Sequence, residues 1–255
     1  MITLDNLVAF LDTYMGRSDT VARIDPYMAN GLQVRGRDNV AVVVTGVSAS
    51  LRMFEEAVAL GADALVVHHS LNLPAGIHLD RIFSSRLRYL FEHGLSLIGY
   101  HYLLDSHAEV GNNARIINLL GGKPTAPYLS DGWGWVGGFE EEVDRDELLA
   151  RCVALFMQPG VQYPFGPARV RKVVAVSGSG APRPTEMEWL MRNRIDLFVT
   201  GEPREWCREM FREAGISLVA AGHYPTERLG IQALTEVLGR HLDVAAHFLD
   251  LPNPI

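Results

Sequence analysis

The sequence lacks the features that mark secreted, membrane-spanning and nucleic-acid-binding proteins. Its 255 residues include only two cysteines, Cys152 and Cys207, and each is predicted to be a buried thiol within a helix. No stretch approaches the roughly 18 apolar residues of a membrane span, and no basic segment precedes an apolar run at the N-terminus. The net charge of −7 argues against a surface that follows nucleic-acid phosphates. We therefore expect a cytoplasmic protein without a membrane segment and without general affinity for nucleic acid.

Hydrophobic periodicity and turn residues divide the chain into alternating strands and helices. Helices are predicted where apolar residues recur every three to four positions, and short β-branched or apolar runs predict buried strands. This alternation predicts a mainly parallel, layered α/β sheet. The predicted helices include residues 3–15, 79–93, 144–157, 186–192, 204–214 and 226–239, and the predicted strands include residues 40–44, 63–70, 95–99, 133–139, 170–176, 195–200, 216–220 and 244–249.

Turn-forming residues suggest where the chain changes direction or domain. Asp25-Pro26 marks a turn, and residues 158–167, with three prolines and two glycines, are predicted to form a loop. Residues 123–131 are the best candidate for a linker. We therefore expect a first domain of residues 1–123 plus 222–255 and a second domain of residues 124–221.

The two halves of the chain resemble each other. Asp63 and Asp196 open similar strands 133 positions apart, and Gly94 and Gly215 end similar helices 121 positions apart. Gly46 and Gly178 give a third match, with an offset of 132. Similar offsets in the same order favour two internally similar lobes, although Gly-terminated helices and Val-rich strands are common to all α/β units. If the lobes are related, the carboxyl ends of equivalent strands are expected to meet at the lobe interface, where sites commonly lie.

Histidines and carboxylates follow several of the predicted strands. His68-His69 ends a buried strand, and neutral imidazole is a good ligand for transition metals. Adjacent side chains on a strand point apart, so we expect the pair to serve two neighbouring ions rather than one. A lone histidine is more often structural than functional, but clusters at several strand ends indicate a shared centre. The candidates are His68, His69, His101, Asp105, His107, His223 and Glu227.

The spacing of the remaining candidates suits metal binding. Asp105 offers a hard oxygen in the loop after the strand that precedes His101. His223 and Glu227 are four residues apart, which places both on one face of a helix. Mixed imidazole and carboxylate ligation favours Zn, Mn, Fe, Co or Ni over Mg or Ca.

Several motifs together resemble the NIF-three-like proteins, a family of dinuclear metal-binding proteins often described as homologues of GTP cyclohydrolase 1 type 2. The motifs run in order along most of the chain, which makes the resemblance specific. They are Asn30-Gly31-Leu32-Gln33-Val34, His68-His69, Tyr100 to Asp105, His107 with Gly111-Asn112-Asn113-Ala114, Thr200-Gly201-Glu202, Gly222 to Arg228, and Phe248 to Pro254.

The resemblance implies a metal centre, a fold and an assembly. It implies that two divalent transition-metal ions are bound by His68, His69, Asp105, His223 and Glu227, with His101 in their immediate surroundings. It also implies two interlinked α/β lobes and a toroidal homohexamer whose sites face an interior cavity. Ser70 stands where the family commonly has proline or glycine, and Pro203-Arg204-Glu205-Trp206 stands where many members carry histidines.

Two classes of function remain open. The first is a two-metal hydrolase acting on a small molecule, with a nucleotide as one candidate substrate. In that hypothesis His101 moves a proton and Glu202 does the same, unless Glu202 only supplies negative charge at the start of the following helix. The second is a non-catalytic metal-binding regulatory or scaffold protein. The short Gly178-Ser179-Gly180 segment does not predict a phosphate-binding loop.

Overall fold

The structure, a computed structural model, describes residues 1–72 and 79–255 and contains two compact units. Unit 1 comprises Met1–Leu104 and Gly230–Leu251, and unit 2 comprises Asp105–Leu229 and Pro252–Ile255. Each unit is therefore built from two separate stretches of chain. Residues 105–123 belong to unit 2, and the domain boundaries expected after residue 123 and before residue 222 stay predictions.

The first part of the chain alternates between strands and helices, as its periodicity predicts. Its helices begin at side chains that bond the free amides of the first turn: Thr3, Ser50 and Asp80 each accept a hydrogen bond from the backbone three residues later. The elements are β1 (Ile2–Thr3), α1 (Leu4–Tyr14), α2 (Val21–Ile24), β2 (Asn30–Val34), β3 (Asn39–Val40), β4 (Val42–Ser48), α3 (Leu51–Ala59), β5 (Ala64–His69), α4 (Arg81–His93), β6 (Ser96–Tyr100) and α5 (Tyr102–Ser106).

The second part of the chain continues the alternation and ends with a long helix and a short strand. A single-turn 3-10 helix, Pro184–Glu186, precedes α8. The elements are α6 (Asn112–Leu119), β7 (Lys123–Tyr128), β8 (Gly134–Asp144), α7 (Arg145–Phe156), β9 (Val161–Tyr163), β10 (Arg169–Val176), α8 (Met187–Arg192), β11 (Leu197–Thr200), α9 (Cys207–Ala214), β12 (Ser217–Ala220), α10 (His223–His241) and β13 (Ala245–Phe248).

Unit 1 is organised around a sheet with the strand order β13-β4-β5-β6-β2. The first four strands are parallel, and β2 pairs with β6 in the antiparallel sense. Residues from β4, β5 and β6 pack with α3 and α4 in one apolar core that includes Phe54 and Leu90. Because β5 and β6 are parallel, the residues at their carboxyl ends lie at the same edge of the sheet.

Unit 2 contains a second sheet with the strand order β7-β8-β10-β11-β12-β9. Its three central strands are parallel, and β8 and β9 pair with them in the antiparallel sense. Successive residues of β11 enter different cores, because side chains alternate across a strand: Leu197 and Val199 pack in one cluster and Phe198 in the other. The sheet is thus covered on both faces, which confirms the expected mixed α/β fold.

Two local predictions are wrong. The expected linker at residues 123–131 contains β7, and the expected loop at residues 158–167 contains β9. Both strands lie at the edges of the unit 2 sheet, where pairing on one side is sufficient. An edge strand has only one neighbouring strand, so it tolerates proline and glycine that would disrupt a central strand. These residues therefore predicted a linker and a loop where the structure has edge strands.

The sheet registers test the internal repeat. Ala64 pairs with Ser96 in unit 1, and Leu197 pairs with Ser217 in unit 2, which confirms the offsets of 133 and 121. The third offset is wrong by two residues. Val44 pairs with Leu65, and Val174 pairs with Phe198, so β4 and β10 are related by an offset of 130 rather than 132.

Equivalent side chains make equivalent hydrogen bonds in the two units. Oδ2 of Asp63 accepts from two backbone amides at residues 41 and 42, and Oδ2 of Asp196 accepts from two at residues 171 and 172. Oγ of Ser96 accepts from the amide of residue 36, and Oγ of Ser217 accepts from the amide of residue 166. The internal repeat therefore includes equivalent hydrogen bonds between side chains and backbone amides, in addition to the similar sequences.

Candidate metal centre

Three imidazoles come together at the carboxyl edge of the unit 1 sheet. His68 and His69 end β5, and His101 directly follows β6. The ring centroids are 4.5 Å apart for His68 and His69, 4.9 Å for His68 and His101, and 5.4 Å for His69 and His101. Each residue offers one ligand atom within 4.8 Å of the others. We call His68, His69 and His101 the histidine cluster.

The rings of His68 and His69 do not point apart, contrary to the expectation from strand pleating. Within a paired strand, the Cβ atoms of successive residues do point to opposite faces of the sheet. His69 is the last residue of β5, however, and rotation about the side-chain bonds brings the two rings within 4.5 Å of each other. A single ion can therefore be in reach of both.

Hydrogen bonds to Nδ1 orient the first two rings. Nδ1 of His68 lies 3.1 Å from the carbonyl oxygen of Tyr100, which can only accept, so Nδ1 carries the proton and Nε2 the lone pair. His68 is fully buried. Nδ1 of His69 lies 3.1 Å from Oγ of Ser48, where either atom can donate. The partner of His68 thus fixes the tautomer that a metal ligand needs.

A buried carboxylate orients the third ring. Nδ1 of His101 lies 2.9 Å from Oδ2 of Asp25, whose residue is only 5% exposed. Burial alone would raise the pKa of Asp25, but the hydrogen bond and charge of His101, with hydrogen bonds from Asn30 and Tyr102, outweigh it and lower the pKa overall. Asp25 is therefore ionised, and Nδ1 of His101 donates to it.

Unit 2 contributes a second group of potential ligands, beginning with Asp105. This carboxylate is 5% exposed, and its Oδ1 accepts from Nδ2 of Asn112 at 2.9 Å and from Oγ of Ser177 at 3.0 Å. Nδ2 of Asn113 donates to the carbonyl oxygens of Asp105 and Trp133. These contacts hold both the backbone and the carboxylate of Asp105 in one orientation.

His223 lies between two carboxylates within unit 2. Its Nε2 is 3.0 Å from Oε2 of Glu227, one turn further along α10, and its Nδ1 is 2.5 Å from Oε1 of Glu202. The hydrogen bond and charge of Glu227, with those of Glu202, outweigh burial and raise the pKa of His223 to about 9. In the protein without metal, His223 therefore carries a proton near neutral pH.

A glycine allows the backbone to approach this pair. Gly178 follows β10 with a φ of +56°, and a Cβ placed there would lie 2.1 Å from Oε1 of Glu227 and 3.0 Å from Nε2 of His223. Only a residue without a side chain leaves that space open, and a left-handed φ is also far easier for glycine than for any other residue. The absence of a side chain at Gly178 therefore leaves the space beside the His223–Glu227 pair unoccupied by the Cβ that any other residue would place there.

The donor chemistry of both groups fits a divalent transition metal. The ligand atoms are imidazole nitrogens and carboxylate oxygens on buried or half-buried side chains, and their orientations are fixed by further hydrogen bonds. The three ligand atoms of the histidine cluster, which lies entirely within unit 1, are within 4.8 Å of one another, close enough to bind one ion. Groups of histidine and carboxylate side chains in this protein can therefore hold a metal.

The predicted site residues fall into the two units. Unit 1 holds His68, His69 and His101, and unit 2 holds Asp105, His223, Glu227 and Glu202. Glu202 does not start the following helix, because α9 begins only at Cys207 after the cap residue Trp206, and Glu202 instead faces His223.

His107 has a different environment from the other candidates. Its Nδ1 accepts hydrogen bonds from the amides of Glu109 and Val110, both at 3.2 Å. This pattern stabilises the turn that leads into α6. Through Nδ1, His107 therefore stabilises that turn.

Sequence reasoning missed several residues that orient the candidate ligands. Asp25 was predicted only as part of a turn, and neither Ser48 nor Ser177 was among the candidate site residues. The cap of α3 is Ser50, while Ser48 faces His69. Ser48 ends β4 four residues beyond the predicted strand 40–44, whereas Ser177 directly follows the predicted strand 170–176. Their partners are 21 and 72 residues away along the chain.

Within the part of the chain that the structure describes, no helix has both the length and the apolar character needed to cross a membrane.

Known proteins resemble this chain over its whole length. A protein of Archaeoglobus fulgidus described as "GTP cyclohydrolase 1 type 2 homolog" is 36% identical over 252 residues, which are 99% of this chain and 99% of that protein. A protein of Escherichia coli with the same description is 37% identical over 241 residues, 91% of this chain and 93% of its own.

Solved structures share the fold at similar identity. The structure described as "protein ybgI, unknown function" matches with a TM-score of 0.88 and 33% identity, covering 100% of both chains. TTHA1606 from Thermus thermophilus matches with a TM-score of 0.83 and 30% identity, again over 100% of both chains. The sequence profile described as Duf34/NIF3 (NGG1p interacting factor 3) matches residues 3–254. The chain is a member of the Duf34/NIF3 family.

Proposed function

We propose that this protein is a dinuclear metal-dependent hydrolase that acts on a small molecule, with nucleotides as the first substrate class to test. In this proposal His68, His69, Asp105, His223 and Glu227 bind two divalent ions, which are Zn, Mn, Fe, Co or Ni. That side chains of the two units serve the same ions is part of the proposal. The observation that carries it is the histidine cluster, in which three imidazoles offer ligand atoms within 4.8 Å of one another.

Two of the candidate ligands, His68 and Asp105, have neighbours that prepare them for a cation. The carbonyl of Tyr100 leaves the lone pair of His68 on Nε2, and hydrogen bonds from Asn112 and Ser177 orient the Asp105 carboxylate. Such outer contacts commonly tune metal affinity by 10- to 100-fold. Two bound ions would supply the Lewis acidity that activates water at neutral pH. The side chains would then have to orient the substrate and move protons.

His101 and Glu202 are the proposed proton carriers. Nδ1 of His101 donates to Asp25, so the neutral ring has its lone pair on Nε2, and that nitrogen can accept a proton. Glu202 contacts Nδ1 of His223, so its carboxylate can exchange a proton with that ring. Replacement of His101 by Gln distinguishes two roles: unchanged metal content with lost turnover supports proton transfer, and lost metal makes His101 a ligand.

The alternative is a non-catalytic metal-binding regulatory or scaffold protein. The contacts of His223 with Glu202 and Glu227 favour it, because both ring nitrogens already have carboxylate partners within 3.0 Å. A metal would then fix the geometry of this network without turnover.

From the family resemblance we also propose that the protein forms a toroidal homohexamer in the cytoplasm. The mass of the purified protein under native conditions tests the proposed hexamer.

Metal analysis is the first experiment. Protein stripped with a chelator and reloaded with Zn or Mn is expected to bind close to two ions per chain, and Asp105→Ala is expected to lose at least one. His107→Asn is the matched control, because an Asn oxygen can replace the Nδ1 acceptor in its turn. No bound metal, or equal metal in the Asp105 variant and the wild type, contradicts the proposed ligand set.

Turnover is the second experiment. The reloaded protein is tested on nucleotides, cyclic amides and phosphodiesters with added Mn or Zn. Hydrolysis that is lost in both Asp105→Ala and His68→Asn but kept in His107→Asn supports the hydrolase. Full metal content with no turnover across the whole panel favours the binding protein instead.

A further inference from the structure

Asp25 is a buried acid whose three hydrogen-bond donors converge on one oxygen. Oδ2 accepts from Nδ2 of Asn30 at 2.9 Å, from Nδ1 of His101 at 2.9 Å and from the backbone amide of Tyr102 at 3.2 Å. The residue is 5% exposed. Burying a charge without partners is strongly unfavourable, and these three donors offset that cost for Asp25.

Asn30 closes this arrangement into a ring of hydrogen bonds. Its Nδ2 donates to Asp25, while its Oδ1 accepts from the amides of His101 and Leu103 at 3.0 and 3.2 Å. The amide group can satisfy both contacts only with its oxygen toward the backbone and its nitrogen toward the carboxylate. Asn30 thus fixes both the carboxylate and the segment that carries His101.

The three rings of the histidine cluster have orienting partners of different kinds. The Tyr100 carbonyl at His68 is a neutral acceptor, and the Ser48 hydroxyl at His69 can donate or accept. His101 instead faces a carboxylate at Nδ1, that of Asp25. An ionised carboxylate accepts and does not donate, so Nδ1 of His101 must carry a proton. The lone pair of the neutral ring is then on Nε2.

We propose that Asp25 and Asn30 are positioning residues, which hold His101 in the Nδ1–H tautomer and keep its Nε2 available to whatever the histidine cluster binds. Asn30 holds the backbone of residues 101–103, and Asp25 holds the ring. For metal affinity and turnover this inference rests on the proposed function, but the tautomer itself is a property of the protein without metal.

A purely structural role would have a different consequence. Asp25 and Asn30 also bond the amides of Tyr102 and Leu103, the first two residues of α5, and could serve only as a helix cap. Loss of a cap lowers stability without selecting one nitrogen of a nearby ring. The nitrogen that carries the proton in His101 is therefore the discriminating measurement.

The test is two-bond ¹H–¹⁵N correlation spectroscopy on chelator-treated protein with ¹⁵N-labelled histidine at a pH where the rings are neutral. Wild-type His101, assigned by its loss in His101→Gln, is expected to show protonated Nδ1 and unprotonated Nε2. Two residues serve as internal references. Nδ1 of His93 faces the carbonyl of Tyr89 and must be protonated, whereas Nδ1 of His107 accepts from two amides and must not be.

Variants of Asp25 test whether its carboxylate determines the tautomer of His101. Asp25→Ala is expected to convert His101 to a mixture in which the Nε2–H form predominates, because the carboxylate that accepts from Nδ1 is removed. Asp25→Asn keeps an oxygen at that point and is expected to restore the wild-type tautomer. Asp80→Ala is the control, because it removes the cap of α4 in the same unit without touching a histidine, and the His101 signals should not move.

Two results overturn the proposal. One is a wild-type spectrum with unprotonated Nδ1 at His101, which needs no variant to interpret. The other is an unchanged tautomer in folded Asp25→Ala. If the tautomer behaves as expected, the metal affinity of Asp25→Ala shows what the ring does in the cluster: a loss of roughly 10- to 100-fold supports the positioning role and makes His101 a ligand. A switched tautomer without any loss of metal affinity would retain the positioning role and exclude His101 as a ligand.

Discussion

Replacing Gly178 with Ala is the most direct perturbation of the unit 2 ligand group. Two separate costs are expected. A left-handed φ of +56° costs a residue with a side chain roughly 1–2 kcal/mol. In addition, the new Cβ would lie 2.1 Å from Oε1 of Glu227, so the carboxylate must move and its contact with His223 must break.

The second cost can be estimated from the contact that is lost. Glu227 is 3% exposed, so its carboxylate cannot simply rotate into water, and a lost hydrogen bond to a charged group costs roughly 1.5–3 kcal/mol. The two costs together lower the free energy of unfolding by about 2.5–5 kcal/mol. Urea unfolding of chelator-treated protein measures this as a shift of the midpoint at unchanged slope.

Gly215→Ala is the matched control for the backbone cost. Gly215 also lies in unit 2 and has a φ of +65°, but nothing lies within 4 Å of a Cβ placed there. This variant should lose only the roughly 1–2 kcal/mol of the backbone term and keep its full metal content. Equal destabilisation of the two variants, with equal metal content, would refute the argument that Gly178 keeps the His223–Glu227 pair accessible.

Two further predictions concern ionisation and a buried hydroxyl. Because the pKa of His223 is raised from 6.5 to about 9, its contribution to stability is complete below pH 6.5 and is lost as the pH rises through about 9. The free energy of unfolding of the chelator-treated protein, measured from pH 6 to pH 10, should therefore fall in the wild type but not in His223→Gln. The same dependence of this free energy on pH in both proteins would contradict the prediction. Tyr128→Phe should lose little stability, because the buried Tyr128 hydroxyl has only a weak contact with the Glu186 carboxylate among the described residues. Tyr100→Phe should lose about 1–3 kcal/mol, because the Tyr100 hydroxyl donates to Asp12 at 2.6 Å; equal losses in the two variants would be the contrary result.

The regular part of the fold could be predicted from local sequence signals. Amphipathic spacing and capping residues located helices such as α1, α4 and α7 to within about two residues, and apolar runs located the central strands of both sheets. These elements are predictable because their burial follows one periodic pattern. The edge strands β7 and β9 were missed because two prolines lie within β7 and prolines and glycines flank the three residues of β9, while the pairing that stabilises both strands comes from distant residues.

The candidate ligands could be found because chemically distinctive residues follow strands. The residues that orient them could not be found in the same way. Asp25-Pro26 has the local signature of a turn, and nothing adjacent in sequence shows that Asp25 contacts a ring 76 residues later. The close approach of His68 and His69 also depends on side-chain rotation at the end of β5, which strand periodicity does not describe.

The proline-containing edge strand β7 has a consequence for behaviour at high concentration. Pro124 and Pro127 lie in β7, which among the described residues pairs with β8 alone, and neither proline has an amide hydrogen to donate. A strand from a neighbouring molecule would find an incomplete set of partners and an interrupted register. This edge is thereby protected against the strand-by-strand addition that leads to amyloid-like aggregates.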